Sequence, residues 1–125
     1  MLKNTLYQQR VEWTKSGYQP VCAICGKPST NGALQMHESL ITRGDVSGNK
    51  FLMEKIMVSS NCVLVDPACH EFANSEENKV ACVVNILKYN RYDDVIAWLL
   101  EMNGYMKNGI PLEAIRLVQE VKNGL

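Results

Sequence analysis

The chain has 125 residues, with 13 basic and 13 acidic side chains and a formal net charge of zero. This length predicts one domain, or one small domain with an appendage, and the even charge balance does not by itself indicate a nucleic-acid-binding protein. No apolar run approaches the roughly 18 residues of a membrane span and no signal-peptide pattern opens the chain, so we expect a cytoplasmic protein with no membrane partner.

The first predicted element is a helix over residues 2–16. A Cys-x-x-Cys pair formed by Cys22 and Cys25 comes next, and the Gly26-x-Pro28 that follows is typical of the tight turn in a zinc knuckle. The chain has five cysteines, an odd number, and no secretion signal. We therefore expect reduced thiols that bind metal or fill the core rather than a disulfide framework.

Two short strands are predicted after this knuckle, and the first covers residues 33–37. Its side-chain alternation places Gln35 and His37 on the same face of the strand. Residues 43–50 are rich in Gly, Asp, Ser and Asn, which favours a loop, and residues 55–58 are predicted to be extended.

The second strand is predicted at residues 61–65. Asp66-Pro67 ends this strand and begins a short helix, because proline suits the first turn of a helix. That helix carries the adjacent pair Cys69 and His70, so a third cysteine is available to join the two thiols of the knuckle.

The remainder of the chain is predicted to be helical. Ser75 is a candidate N-cap for the first helix, Asp93-Asp94 opens the second, and the apolar stripe of the last begins at Leu112. These elements predict an α+β fold. The expected organisation is an N-terminal helix at residues 1–19, a core at residues 20–75, and a C-terminal helical segment at residues 76–125 that packs on the core.

Both histidines of the chain fall inside one spaced pattern. His37 ends the first predicted strand, Asn61 begins the second, and His70 follows Asn61 by nine residues on the short helix. Two histidines and an asparagine placed in this way, between two groups of cysteines, resemble the HNH endonuclease superfamily, also called ββα-metal or His-Me finger nucleases. The resemblance covers about residues 20–73 and implies a zinc-tied ββα-metal core.

The resemblance implies a catalytic role for three residues. His37 would be the general base that takes a proton from water, because a histidine can hold or release a proton near neutral pH. Asn61 would hydrogen-bond the backbone and fix the long loop beside His37. His70 would bind the catalytic divalent cation.

The resemblance also implies a structural zinc site. Cys22, Cys25 and Cys69 supply three thiolates, and Asp66 occupies the position at which the family usually has a fourth cysteine. Asp66 would complete the zinc site as an oxygen ligand, or it would only cap the short helix. His70, directly after Cys69, is a further candidate for the fourth zinc ligand.

Three further positions bear on nuclease chemistry. Arg43 and Lys50 are candidates for phosphate contacts, with an ordinary solvated loop as the alternative. Met36 stands where many members of the superfamily have a second ligand for the catalytic ion. The pair His37-Glu38 followed by Arg43-Gly44 is similar to members encoded by bacteriophages.

The expected function is a metal-dependent DNA endonuclease that uses structural Zn²⁺ and a catalytic Mg²⁺ or other divalent cation. The setting would be the cytoplasm of a bacterial host if the chain is phage-encoded. Two alternatives stay open: a non-catalytic zinc module that binds DNA or protein, and an interaction protein whose active surface is the helical segment. That segment would also allow a homodimer, in which two active sites address two strands.

Overall fold

The structure is a computed structural model that describes residues 21–27 and 34–124. The predicted N-terminal helix lies outside the described residues. In chain order, the described residues form β1 (Gln35–Glu38), a single 3₁₀ turn (Gly44–Val46), α1 (Lys50–Lys55), β2 (Cys62–Val65), α2 (Pro67–His70), α3 (Glu76–Tyr89), α4 (Tyr92–Tyr105) and α5 (Leu112–Lys122). The predicted α+β class is confirmed.

The two strands form an antiparallel hairpin whose register positions the first histidine. His37 pairs with Val63 and Gln35 pairs with Val65, so Gln35 and His37 share one face of the sheet, as predicted. Both strands are largely buried, because α2 packs against β1 and α3 packs against β2.

The connection between the strands is more regular than predicted. Residues 43–50 contain the 3₁₀ turn, and α1 begins at Lys50 because the side chain of Asn49 accepts a hydrogen bond from the Leu52 backbone N–H at 3.0 Å. The prediction that residues 55–58 are extended is wrong. Leu52 and Ile56 are both buried, and their spacing of four residues favours a helical turn over a strand.

The three long helices begin close to the predicted capping signals. Ser75 caps α3 by accepting a hydrogen bond from the Asn78 backbone N–H at 3.3 Å. The prediction that Leu112 begins the buried stripe of α5 is wrong, since this side chain is 98% exposed. Ala114 and Val118 are buried instead, and a residue two positions from Ala114 points about 200° away around the helix.

One hydrophobic cluster joins the hairpin to the helical segment. Val63 and Val65 of β2 belong to the same cluster as Ile86 of α3, Leu99 of α4 and Val118 of α5. The helical segment therefore packs on the core rather than standing apart. Across residues 21–27 and 34–124, no helix has the length and apolar character needed to cross a lipid bilayer.

Candidate functional site

Three cysteines converge where the knuckle meets α2. The Sγ atoms of Cys22, Cys25 and Cys69 all lie within 4.8 Å of one another, which is close enough for them to hold one metal ion. The knuckle is a tight turn closed by a hydrogen bond of 2.8 Å from the Gly26 N–H to the Cys22 carbonyl. Gly26 has a φ of 74°, a left-handed conformation that glycine adopts without steric cost.

Backbone N–H groups favour the thiolate form of Cys22. The N–H groups of Ile24 and Cys25 point at Cys22 Sγ from 3.4 and 3.5 Å. Burial raises the pKa of the Cys22 thiol, but the backbone N–H groups of Cys25, Asp66 and Ile24 outweigh burial and lower the pKa below its ordinary value. Thiolates are the form that binds zinc, so this turn favours metal binding.

The pKa of Cys69 shows how strongly the three thiols influence one another's ionisation. Desolvation, together with the sulfurs of Cys22 and Cys25, raises the pKa of Cys69 to about 12. Three sulfurs held this close cannot all carry negative charge without a counter-ion. A bound cation is therefore the natural partner for the cluster.

Asp66 does not join the sulfurs. Its Oδ1 accepts a hydrogen bond from the Ala68 N–H at 3.0 Å, which makes it the N-cap of α2, and its carboxylate is not part of the metal-binding group. Within the described residues the group has three members, so the fourth position of a tetrahedral zinc would go to water or to a residue outside those ranges. Of the two roles considered for Asp66, the geometry supports the cap.

The two histidines meet beside α2, and neither belongs to the metal-binding group of sulfurs, so His70 is not placed as the fourth zinc ligand. The ring centroids of His37 and His70 are 5.1 Å apart, with an angle of 72° between the ring planes. Their proximity follows from the fold, because α2 crosses the sheet face that carries Gln35 and His37. The Nδ1 of His70 lies 2.9 Å from Gln35 Oε1, and this contact fixes the orientation of the His70 ring.

A cleft of about 440 Å³ opens in front of these two rings. Arg43 lines the cleft, whereas Lys50, the other candidate for a phosphate contact, is exposed on α1 and is not among the lining residues. The residues that line it are Met36, His37, Glu38, Thr42, Arg43, Gly44, His70 and Asn74. The fold thus brings both histidines and one guanidinium to a single concave surface.

His37 is only 6% exposed, and its surroundings favour the neutral imidazole. Burial lowers the pKa of His37, the neighbouring His70 lowers it further, and Glu38 raises it in part. The buried carboxylate of Glu38 accepts a hydrogen bond from Arg43 Nε, which holds this arginine beside the cleft. A neutral imidazole has a free lone pair, so His37 can accept a proton at neutral pH.

Asn61 makes the backbone contacts predicted for it. Its side chain is completely buried and accepts hydrogen bonds from the N–H groups of Leu40 and Ile41 at 2.9 and 2.8 Å. Its amide nitrogen donates to the carbonyls of Ile41 and Ile56 at 2.8 and 2.9 Å. The connection between the strands is therefore fixed directly after β1, at Leu40 and Ile41, and again at Ile56.

Three residues of the cleft region were not identified as site residues from the sequence, namely Gln35, Thr42 and Asn74. The alternation of β1 placed Gln35 on the His37 face, but its contact with His70 depends on how α2 packs against β1. Asn74, in the turn that follows α2, lines the cleft together with His70, and no pattern in the sequence indicated this.

A scan against protein-family models, a search of curated proteins and a search of solved structures found no match to this chain. A function must therefore be inferred from the side chains that the fold brings together at the site.

Proposed function

We propose that this protein is a metal-dependent endonuclease of the HNH type that hydrolyses DNA phosphodiester bonds. The observation that carries the proposal is the pairing of His37 and His70, with ring centroids 5.1 Å apart, at a cleft that also contains Arg43. A cleft of this kind can supply a base for water, a ligand for a cation and a positive charge for phosphate.

His37 acts as the general base. Its lowered pKa keeps the imidazole neutral at the pH of the cell, and the ring faces a cleft that is open to water. It takes the proton from the water molecule that attacks phosphorus, which makes that water a better nucleophile. Asn61 supports this role indirectly by fixing the chain directly after β1.

The groups around His70 fit a divalent cation. With Gln35 Oε1 as the acceptor, His70 carries its proton on Nδ1, and its Nε2 is then free to bind metal. Asn74 lines the same cleft and would offer its amide oxygen as a second ligand, and Mg²⁺ bound by few protein groups keeps several waters. A bound divalent cation would stabilise the negative charge that develops on the phosphate and the leaving oxygen.

Arg43 is placed to bind the phosphate that is cleaved. Its guanidinium has several donors, and the hydrogen bond to Glu38 engages only its Nε. The exposed Lys50 follows on α1 and would contact a neighbouring phosphate, which positions the DNA without reading its sequence.

The three-cysteine cluster holds a structural zinc in this proposal. The hydrogen bond of 2.8 Å from the Ala23 N–H to the Leu64 carbonyl already ties the knuckle to β2, and a zinc bound by Cys69 would add α2 to the same unit. Since α2 also carries His70, the metal would stabilise the catalytic geometry as well as the fold.

The proposal is tested by nicking of a supercoiled plasmid in the presence of Mg²⁺, Mn²⁺, Ni²⁺ or a chelator. We expect metal-dependent cleavage by the native protein and a loss of about 100-fold or more in His37→Ala, because general-base catalysis contributes about 10² to 10⁴. Free imidazole should restore part of the activity of this variant, because it can enter the space left by the ring.

Lys107→Ala, which removes an exposed charge from the chain after α4, should cleave as the native protein does. Unchanged cleavage by His37→Ala, or cleavage that persists in chelator, would contradict the proposal.

A non-catalytic DNA-binding module is the second candidate, and the apolar Met36 that lines the cleft is the observation in its favour. A thioether is a poor ligand for a hard cation, so Met36 supplies no ligand atom for a divalent ion such as Mg²⁺. The same plasmid assay separates the two functions: retarded migration without nicking, under every ion, would support the module.

A further inference from the structure

A second cleft, distant in sequence from the histidines, lies where α3 ends, α4 begins and α5 ends. It encloses about 670 Å³. Its lining includes three cationic side chains and two aromatic rings, namely Lys88, Tyr89, Arg91, Tyr92 and Lys122, and the remaining residues are Val84, Leu87, Asn90 and Val121. We call this surface the basic cleft.

No carboxylate from the described part of the chain lines the basic cleft. The contrast with the rest of the same helices is informative. At the other end of α3, Lys79 pairs with Glu113 at 3.5 Å, and on α5 Arg116 pairs with Glu120 at 3.7 Å. Within residues 21–27 and 34–124, none of the three cations of the basic cleft takes part in an ion pair.

Helix stability does not account for all three charges. Lys88 and Lys122 each lie in the last turn of a helix, where a cation interacts favourably with the helix dipole. Arg91 is different, because it occupies the N-cap position of α4 and makes no capping hydrogen bond with its side chain. A cation at a helix N-terminus is unfavourable. Asp93 and Asp94 lie in the first turn of the same helix, but neither lines the basic cleft, so within the cleft the charge of Arg91 adds to that of the two lysines.

Aromatic rings lie among these charges. The Nζ of Lys122 lies 5.1 Å from the centre of the Tyr92 ring, and that of Lys88 lies 5.5 Å from the centre of the Tyr89 ring. Tyr89 is 40% exposed. A flexible lysine can leave a ring to contact a phosphate, and the exposed part of Tyr89 is accessible to a base. Cations next to accessible rings are the pattern by which proteins hold single-stranded nucleic acid.

We propose that the basic cleft binds a single-stranded segment of nucleic acid. Lys88, Arg91 and Lys122 contact its phosphates, and an unpaired base stacks on Tyr89. The choice of nucleic acid as the anion rests on the proposed function, but the binding itself requires neither histidine nor catalysis.

The test measures the anisotropy of a labelled single-stranded DNA of about 20 nucleotides at several salt concentrations. Omission of added divalent cations and the His37→Ala background prevent cleavage without removing the structural zinc. The triple variant Lys88→Ala, Arg91→Ala, Lys122→Ala is compared with a control, Lys79→Ala, Lys107→Ala, Arg116→Ala, which loses the same three charges elsewhere. Circular dichroism verifies that both are folded, and single Arg91→Ala replaces the first triple if it is not.

We expect the first triple variant to bind at least about tenfold more weakly, while the control changes less than about threefold. The slope of log K against log salt should fall by about two, because each lost phosphate contact on a single strand contributes about 0.7. Tyr89→Leu should weaken binding by about fivefold or more without changing this slope.

Three results would overturn the proposal: equal weakening by both triple variants, no weakening by the first, or tighter binding of the matching duplex than of the single strand. Failure of the basic cleft to bind is distinguishable from failure of the nuclease assignment. Plasmid nicking can depend on His37 while the basic cleft proves inert, and the basic cleft can bind DNA in a protein that does not cleave it.

Discussion

At the residue scale, the side chain of Asn61 supplies hydrogen bonds to backbone groups that no helix or strand satisfies. Two backbone N–H groups and two backbone carbonyls, all buried, use it as their partner. This amide thereby stabilises the turn that leads from β1 towards Arg43. The cleft depends on that turn, because Arg43 reaches it from the same stretch of chain.

We predict that Asn61→Ala lowers the free energy of unfolding by about 3 kcal/mol or more. Each buried polar group left without a partner costs about 1–3 kcal/mol, and this substitution strands several at once. Urea denaturation measures the change. Asn108→Ala is the matched control, since Asn108 is exposed and its replacement should change stability by no more than about 0.5 kcal/mol.

Similar stabilities for the two asparagine variants would mean that water or a rearranged turn satisfies the stranded groups. In that case the turn would keep its shape without Asn61, and the four hydrogen bonds of this amide would not be what fixes it.

Much of the arrangement of the site could be predicted at this scale, because it follows from short-range patterns in the sequence. Cysteine spacing, the alternation of β1 and the separation of nine positions from Asn61 to His70 are short-range regularities, and the fold preserves each of them. The Gln35 contact to His70 and the place of Asn74 in the cleft depend on how α2 crosses β1. That crossing is a tertiary relation between segments about 35 residues apart, and no local pattern encodes it.

At the scale of elements, α2 brings a cysteine of the metal-binding group and a histidine of the cleft together in one short helix. It has four residues, too few for a helix to be stable by intrinsic propensity. It begins with a capping Asp66 and a proline in its first turn. Neighbouring residues on a helix point about 100° apart, so Cys69 can face the sulfurs while His70 faces the cleft.

We predict that Asp66→Asn retains bound zinc and melts within a few degrees of the native protein, because asparagine caps helices as well as aspartate does. Cys25→Ser should lose most of the zinc and melt at a lower temperature. Cys82→Ala is the control, because Cys82 is a buried thiol outside the metal-binding group. Elemental analysis after dialysis and thermal unfolding provide the two measurements.

Loss of zinc in a folded Asp66→Asn protein would show that the carboxylate is a ligand after all. Retention of zinc in Cys25→Ser would remove the sulfur cluster as the site of binding.

Element boundaries were predictable where a cap or a proline marks them. Ser75 and Asp66 mark the beginnings of α3 and α2 clearly. The helix α1 was missed because its cap, Asn49, lies in a run of Gly, Ser and Asn that equally favours a loop, and its burial depends on two residues, Leu52 and Ile56. Leu112 was misplaced because the face of α5 that contacts α3 and α4 is a property of the assembled bundle.

At the scale of the whole molecule, the hairpin and the helical segment share one interior. Leu99 of α4 is completely buried in the cluster that includes β2. A polar clamp adds to this contact: Asn90 donates to the Ser59 carbonyl at 3.1 Å, and Ser59 Oγ donates to Asn90 Oδ1 at 2.8 Å. We therefore expect both parts to unfold together.

We predict that Leu99→Ala lowers the free energy of unfolding by about 2–5 kcal/mol through loss of buried surface and formation of a cavity. Leu112→Ala makes the same chemical change at a side chain that is 98% exposed, and should cost no more than about 0.5 kcal/mol. Circular dichroism follows the helices, and a zinc indicator follows release of metal from the core.

In Leu99→Ala the two signals should shift to the same lower midpoint, because a single cooperative unit has one transition. Release of metal at the native midpoint, with only the helices destabilised, would show two independent units.

The shared interior also limits which part of this protein can be transferred to another scaffold. Val63 and Val65 lie on the strand that pairs with the one carrying His37, and they share their cluster with Ile86, Leu99 and Val118. A fragment that ended before residue 76 would expose those two valines to water. Grafting the histidine pair onto a foreign scaffold therefore means transplanting the three long helices too, or redesigning a covering layer in their place.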